Sequence, residues 1–279
     1  MTEQFTTATT KNSLRIAIRQ YEDYQEQRKA LGNRLKIKSN GEPQKLPDEQ
    51  VENWAITAKD QQVFAAQYKM LIKMEGEIRK HLNGILKEFD LWSEYLKGIR
   101  GVSVISASYI LGFYNINEAA TVSKLWQYTG LNPGKVRGKK RMSLKEAQKS
   151  GLPIVREIQD DNGGSAIVQT EDLIPGDKLT PGYVAPFNRN MRVAMVGKLA
   201  PSLIKAMGHY KLNYYDTYKL RLEQEEGWKN ESKGHRANAA TRYMMKMFLK
   251  DLYVAWRELE GLPVRKPYQE EYLEHTHAA

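Results

Sequence analysis

Two apolar stripes at alternating three- and four-residue spacing constrain this chain more than any other feature. The first runs Leu14, Ala17, Tyr21, Tyr24, Leu31 and Leu35, with Arg28 filling the one polar slot. The second runs Phe64, Tyr68, Leu71, Ile78, Leu82, Ile85, Phe89, Trp92 and Leu96, with Glu75 in its one polar slot. Such spacing puts every apolar residue on one face of a helix and sustains a heptad. Between the stripes, SNGEPQKLPDEQ (Ser39 to Gln50) breaks the pattern with Gly, two Pro and polar residues. The second of those prolines, with Asp48 and Glu49, makes a helix start, because acidic groups suit the positive end of the helix dipole. The pair predicts an antiparallel coiled helical hairpin over 11–97, or half of an intermolecular coiled coil, with a role in self-association or spacing. A plain helical core is the alternative. The polar, Thr-rich residues 1–10 read as a flexible tail.

The chain of 279 residues, 41% of them hydrophobic, can bury a real core. The formal net charge is +10, which points to a polyanionic partner, nucleic acid first and an acidic membrane surface second. No apolar run has spanning length and the first residues carry no apolar signal core, so the expected setting is cytoplasmic, with no membrane partner. Cys is absent, which removes disulfides, thiolate metal sites and Cys nucleophiles.

After the stripes comes LKGIRGVSVISASYILGFYNINEAATVSKLWQYTGLNPG (Leu96 to Gly134). Ile99 to Ser103 is a tight turn, and Ser106, Ala107 and Ser108 are small enough for close approach of a neighbour. The segment reads as a helix-hairpin-helix, a motif whose backbone N–H groups meet phosphates without base readout. A helix–helix corner is the alternative for the same residues. Candidate contacts here are Gly101, Ser103 and Ser106. Thr121 or Ser123 caps a short helix that ends near Gly130, and Pro133 prevents its continuation. Then GKVRGKKR supplies Lys135, Arg137, Lys139, Lys140 and Arg141 between glycines, and reads as a basic phosphate-binding loop.

Residues 142–185 read as an insertion: a short helix ending at Gly151, two β-rich runs around Asn162-Gly163, and the Pro/Gly-rich loop LIPGDKLTPGYVAP. Asn188 to Met207 is a helix with Met191, Met195, Leu199 and Leu203 inward and a kink at Pro201. Arg189 and Arg192 oppose its dipole unless they hold an anion. The last helix carries Ala239, Tyr243, Met247, Leu252 and Trp256 inward, with Arg236, Arg242, Lys246 and Lys250 at polar positions. Residues 262–279 read as a tail. The expected fold class is therefore mainly α, a coiled hairpin over 11–97 followed by a helical domain over 98–261 with a small β-hairpin insertion at about 142–185.

Three ordered blocks resemble a known family. IRGVSVISASYILGFYNINEAATVSKLWQYTGLNPG, FNRNMR (Phe187 to Arg192) and GHRANAATRYMMKMFLKDLYVAW are similar to the C-terminal transposase domain of the RNA-guided insertion-sequence transposases, the bridge recombinases. Gly101, Ala107, Tyr128, Gly130, Leu131 and Pro133 fall on the family's turn, Ala-rich helix and Tyr-x-Gly-Leu-x-Pro turn. The likeness covers roughly residues 50–260. It implies a DNA-binding protein of transposase descent acting in recombination, with DNA as partner, structured RNA as a further one, and self-association through the hairpin. The family's N-terminal nuclease-like domain, with its acidic metal ligands, is expected to be lacking. No cofactor is expected, and Mg only if a partner chain supplies acidic ligands; Asp160-Asp161 is the nearest carboxylate pair, and a turn explains it. Where the family has its nucleophilic serine, this chain has Arg137-Gly138. Ser143 and Ser150 are the later candidates for a strand-transfer serine. A helical oligomeric scaffold is the reading from another class.

Overall fold

The computed structural model describes residues 2–35, 58–159 and 164–265. The Ser39–Gln50 break, the turn at 160–163 and the tail beyond 265 lie outside the described residues. Among the described residues the chain is mainly α-helical, with one three-stranded antiparallel sheet. It divides into two compact units, Met1–Trp92 with Ser103–Phe113, and Ser93–Val102 with Tyr114–Ala279. Among the described residues no helix is long and apolar enough to cross a membrane.

In the first unit, α1 (Thr2–Arg34) and α2 (Ala58–Leu86) run in opposite senses: Thr10 meets Glu88, Arg28 meets Glu75, and Gly32 meets the Tyr68 ring. Residues 2–10, expected as a tail, belong to α1. Nothing in that stretch breaks a helix, and packing of Leu14, Ala17 and Ile18 holds it downstream. The second stripe predicts one helix through Leu96, whereas α2 stops at Leu86. Lys87, Glu88 and Phe89 donate to carbonyls three residues back, a tightened end. A π-helical turn then covers Leu91–Tyr95. Trp92 and Leu96 stay buried across that change, because a heptad records burial and is indifferent to a local change of winding. Helix α3 (Val104–Phe113) packs on α1, with Gly112 against Leu14 and Ile18 and Ser108 fully buried.

The two polar slots meet. Arg28 donates through Nε to the Glu75 carboxylate and through Nη1 to the Tyr68 hydroxyl at 3.5 Å. Glu75 is 5% exposed, and its hydrogen bond is the first cause raising the Arg28 pKa above its ordinary value. Arg28→Met leaves a buried carboxylate without its cation. The expected loss is about 2–4 kcal/mol in denaturant unfolding, with most of it recovered in Arg28→Met/Glu75→Leu.

The second unit is built on α10 (Lys233–Leu259), whose Ala240, Met244, Met245, Phe248, Leu249, Leu252 and Trp256 are buried. Around it lie α4 (Val122–Thr129), α6 (Arg189–Arg192), α7 (Ala200–Lys205), α8 (Thr217–Gln224) and the one-turn α9 (Glu226–Lys229). Met191, Met195, Leu199 and Leu203 all point inward as their spacing predicts. The strain expected at Pro201 is taken up by a π-helical stretch, Val193–Leu199, after which Pro201 stands in the first turn of α7 where no N–H is needed. Arg257 is buried and donates to the carbonyls of Ile116, Ala119 and Pro263, holding the segment between α3 and α4 and the first residues of the expected tail.

The sheet has the order β1-β3-β2, from β1 (Lys135–Ser143), β2 (Ile154–Ile158) and β3 (Ser165–Pro175). Helix α5 (Leu144–Ser150) covers one face with a small core of Ala147, Ala166 and Val168. So β2 and β3 pair as the insertion predicts, with the added finding that the basic segment is their third strand and Leu173–Pro175 of the expected loop belong to β3.

Candidate nucleic-acid interface

GKVRGKKR is an edge strand, where a loop was expected. Lys135, Arg137, Lys139 and Arg141 are exposed, while Val136, Gly138, Lys140 and Met142 alternate with them on the more buried side. A period-2 pattern was present in the letters, with Val136, Gly138 and Met142 apolar or small at alternate positions, but Lys140 interrupts it and the charge masked it. Opposite Lys139 and Arg141 stand the uncharged Gln169 and Ile167. Arg137 lies 3.8 Å from Glu171, and Lys140 lies 3.6 Å from Asp172 and 4.6 Å from the Tyr183 ring centre. These are exposed pairs that contribute little. Lys135, Lys139 and Arg141 have no carboxylate partner among the described residues.

Gly138 makes the strand fit its surroundings. A Cβ there would lie 2.6 Å from two Tyr183 ring atoms and 3.0 Å from Thr170 Oγ1. The ladder bulges at this point, between Arg137 and Lys139. Tyr183 in turn donates to Asp172 at 2.6 Å, the first cause holding that carboxyl below its ordinary pKa, and Val184 N–H donates to the Lys139 carbonyl at 2.7 Å. The outer edge of β1 is thus covered at its middle.

The Tyr128–Pro133 turn and the Phe187–Arg192 segment are brought together. Asn188 N–H donates to the Tyr128 carbonyl, its Nδ2 to the Tyr128 hydroxyl at 2.8 Å, and its Oδ1 caps α6 by accepting from Met191 N–H. Arg189 is exposed. Arg192 turns inward, donating to the Asp177 carbonyl with its guanidinium 4.8 Å from the Phe187 ring centre. Burial first, and then the Arg242 charge, lower its pKa.

Arg242 and Lys246, read from the sequence as polar positions of the last helix, belong to the same cluster. Asp177 is 7% exposed, and Arg242 Nη1 lies 3.3 Å from its Oδ2. Lys246 sits 5.4 Å from the Trp126 ring centre, and burial pushes its pKa down, with Arg242 adding to the effect and Asp177 opposing it. Their i, i+4 spacing was the available signal, but it does not reveal a carboxylate that arrives from the end of β3.

The other sequence candidates have structural duties. Gly101 has φ 98°, and a Cβ on it would lie 2.8 Å from the Ser202 carbonyl oxygen and 2.9 Å from Leu203 Cα. Its bare face is occupied by protein backbone. Ser103 is exposed and caps α3 by accepting from Ser106 N–H at 3.2 Å. Ser106, named as a surface contact, is instead 7% exposed; its hydroxyl accepts from Ser103 N–H and donates to the Ser103 carbonyl. Ser143 caps α5 in a reciprocal capping box with Glu146. Its hydroxyl donates to Glu146 Oε2 at 2.8 Å, and that hydrogen bond is the first cause lowering the Glu146 pKa, which makes the carboxylate a poor base. Ser150 donates to the Ala147 carbonyl at the other end of α5. Among the described residues no three His, Asp or Glu gather to hold a metal ion, and Asp160-Asp161 lie outside them.

The fold and site together define a mainly helical protein with a cationic edge strand beside a half-buried cation cluster. No family model, curated protein or solved structure matches the chain.

Gly138→Ala is expected to lower stability by about 1–3 kcal/mol, because the new Cβ overlaps the Tyr183 ring. Thermal unfolding of Gly138→Ala beside Gly138→Ala/Tyr183→Ala checks this, the double variant recovering part of the Tm.

Proposed function

We propose that this chain binds nucleic acid, DNA first, by gripping the phosphate backbone, and that it is a protein of transposase descent acting in DNA recombination. The observation that carries the reading is the exposed row Lys135, Arg137, Lys139 and Arg141 on one strand. Alternate strand residues recur at roughly 7 Å, on the order of the separation of successive phosphates along a nucleic-acid strand. The net charge of +10 favours a polyanion. Arg189 extends the basic surface from the start of α6. The ordered blocks similar to the transposase domain of the RNA-guided insertion-sequence transposases support the recombination role. No segment of the sequence reads as a recognition helix with Asn, Gln or Arg aimed at base edges, so contact is to phosphate and sequence preference is weak.

In the same reading α1 and α2 form a coiled hairpin that joins copies of the chain. Ile99–Ser108 acts as a helix-hairpin-helix in which the exposed Ser103, with the Gly101 turn before it, meets a phosphate. The capping duties of Ser143 and Ser150 favour binding over strand transfer by this chain alone.

The test is fluorescence anisotropy with a duplex, a branched junction and a structured RNA across a salt series. The wild-type chain is expected to show steep salt dependence and preference for the junction. Lys135→Glu/Arg137→Glu/Lys139→Glu/Arg141→Glu, all at exposed positions, is expected to weaken binding at least tenfold and to flatten the log–log salt slope by about 3–4. Unchanged affinity in that variant, with an unchanged circular dichroism melt, rejects the interface.

A further inference from the structure

Alongside the cationic strand, the second unit holds a cleft of about 460 Å³ whose walls include Arg242, Lys246, Tyr218, Tyr243 and Trp228. We propose that this cleft takes a single nucleotide carrying a terminal phosphate, the 5′-phosphorylated end of a nucleic-acid strand. The inference rests on the proposed nucleic-acid function and names the part of the ligand that the cleft recognises.

Charge is the first reason. Arg242 meets the carboxylate of the buried Asp177, Lys246 lies within reach of that charge, and Arg192, outside the cleft's lining, donates to the Asp177 backbone carbonyl. Three cations against one anion leave an excess of two positive charges. Arg192 and Lys246 are half-buried, so water screens that excess poorly. A phosphate monoester, close to a dianion at neutral pH, brings the group to neutrality, whereas the diester of a strand interior leaves one charge over. Arg242 has Nη1 turned to Asp177 and lines the cleft, and a guanidinium's planar fork of donors suits phosphate.

The aromatic wall is the second reason. Tyr218 and Tyr243 stack with centroids 4.3 Å apart and planes within 13°. Trp228 stands edge-on to His235 at 5.2 Å. Its backbone is held by Arg236, whose Nη1 donates to the carbonyls of Trp228, Lys229 and Glu231. Ring faces beside a phosphate pocket suit a nucleobase, which stacks without regard to its identity. An acidic peptide makes no comparable use of them. A cleft of this volume lies in the range of small-molecule sites.

Continuity with the interface is the third. Leu131 and Pro133 line the cleft, and Lys135, the first cation of β1, follows Pro133 by two residues. A strand lying along β1 therefore reaches the cleft with its end.

The experiment is titration calorimetry of the full chain with thymidine 5′-monophosphate, thymidine, inorganic phosphate and a phosphoserine peptide. The expected result is saturable binding of the monophosphate, at least tenfold tighter than each of the other three. Arg242→Gln and Lys246→Gln, each with a near-unchanged melt, are expected to weaken it at least tenfold. The β1 charge-reversal variant, which loses duplex binding, is expected to keep it. No saturable binding of the monophosphate overturns the inference, and does so even where duplex DNA still binds β1. Equal binding of thymidine, phosphate or the phosphopeptide, or indifference to both cleft variants, overturns it as well.

Discussion

The site hangs on one close contact. Gly130 lies in the left-handed region, φ 73°, and the Phe187 ring occupies the place where a side chain would be, 2.7 Å from an added Cβ. The glycine ends α4 in the way a left-handed C-cap does, so the chain is released at once into Leu131, Pro133 and β1. Phe187 returns to the same point, and Asn188 is bonded to Tyr128 by both backbone and side chain. The whole excursion from 131 to 186, sheet included, therefore leaves and re-enters the helical body at a single place. The cationic strand begins there, and so do α6 and its two arginines.

Formal charge becomes meaningful only through the way each cation is held. On β1 the cations stand in water, with weak pairs or none, so they are available to a polyanion and cost little to maintain. Arg257 is the opposite case. It is buried, but three carbonyl oxygens and the Tyr253 ring replace its water, and it acts as a clamp. Arg192 and Lys246 fall between these extremes, losing solvent beside the exposed Arg242 without gaining enough negative charge. Burial heads the causes depressing the pKa values of Arg192 and Lys246, and Arg242 adds to both.

Serine is read differently once its neighbours are known. A hydroxyl at the start or end of a short helix satisfies orphan backbone groups, and Ser103, Ser106, Ser143 and Ser150 all do this. The candidate strand-transfer serine that the resemblance suggested at Ser150 stands at the cue for a helix end, Ser150-Gly151. The left-handed Gly151, φ 68°, shows that cue at work. Likewise the small residues of α3 serve close packing, Gly112 against α1 and Ser108 in the interior.

Periodicity and breakers by themselves settled the helical class, the inward Met191–Leu203 row, the stop at Gly151 and the single polar slots at Arg28 and Glu75. Each of these depends on one face of one element and so is written in adjacent residues. What the letters could not decide is which distant segment meets which. That the Arg28 and Glu75 slots face each other depends on the antiparallel sense of α1 and α2. That a lysine-rich segment is a strand depends on β3, some thirty residues on, and on Tyr183 demanding a glycine beneath it. That Arg242 and Lys246 share a cleft with Tyr218 and Trp228 depends on the end of β3 carrying Asp177 to α10. Local propensity follows from a residue's own backbone and nearest turns, while strand pairing, ion pairing and concavity are set by packing between segments far apart in the chain, and only the tertiary structure supplies those neighbours.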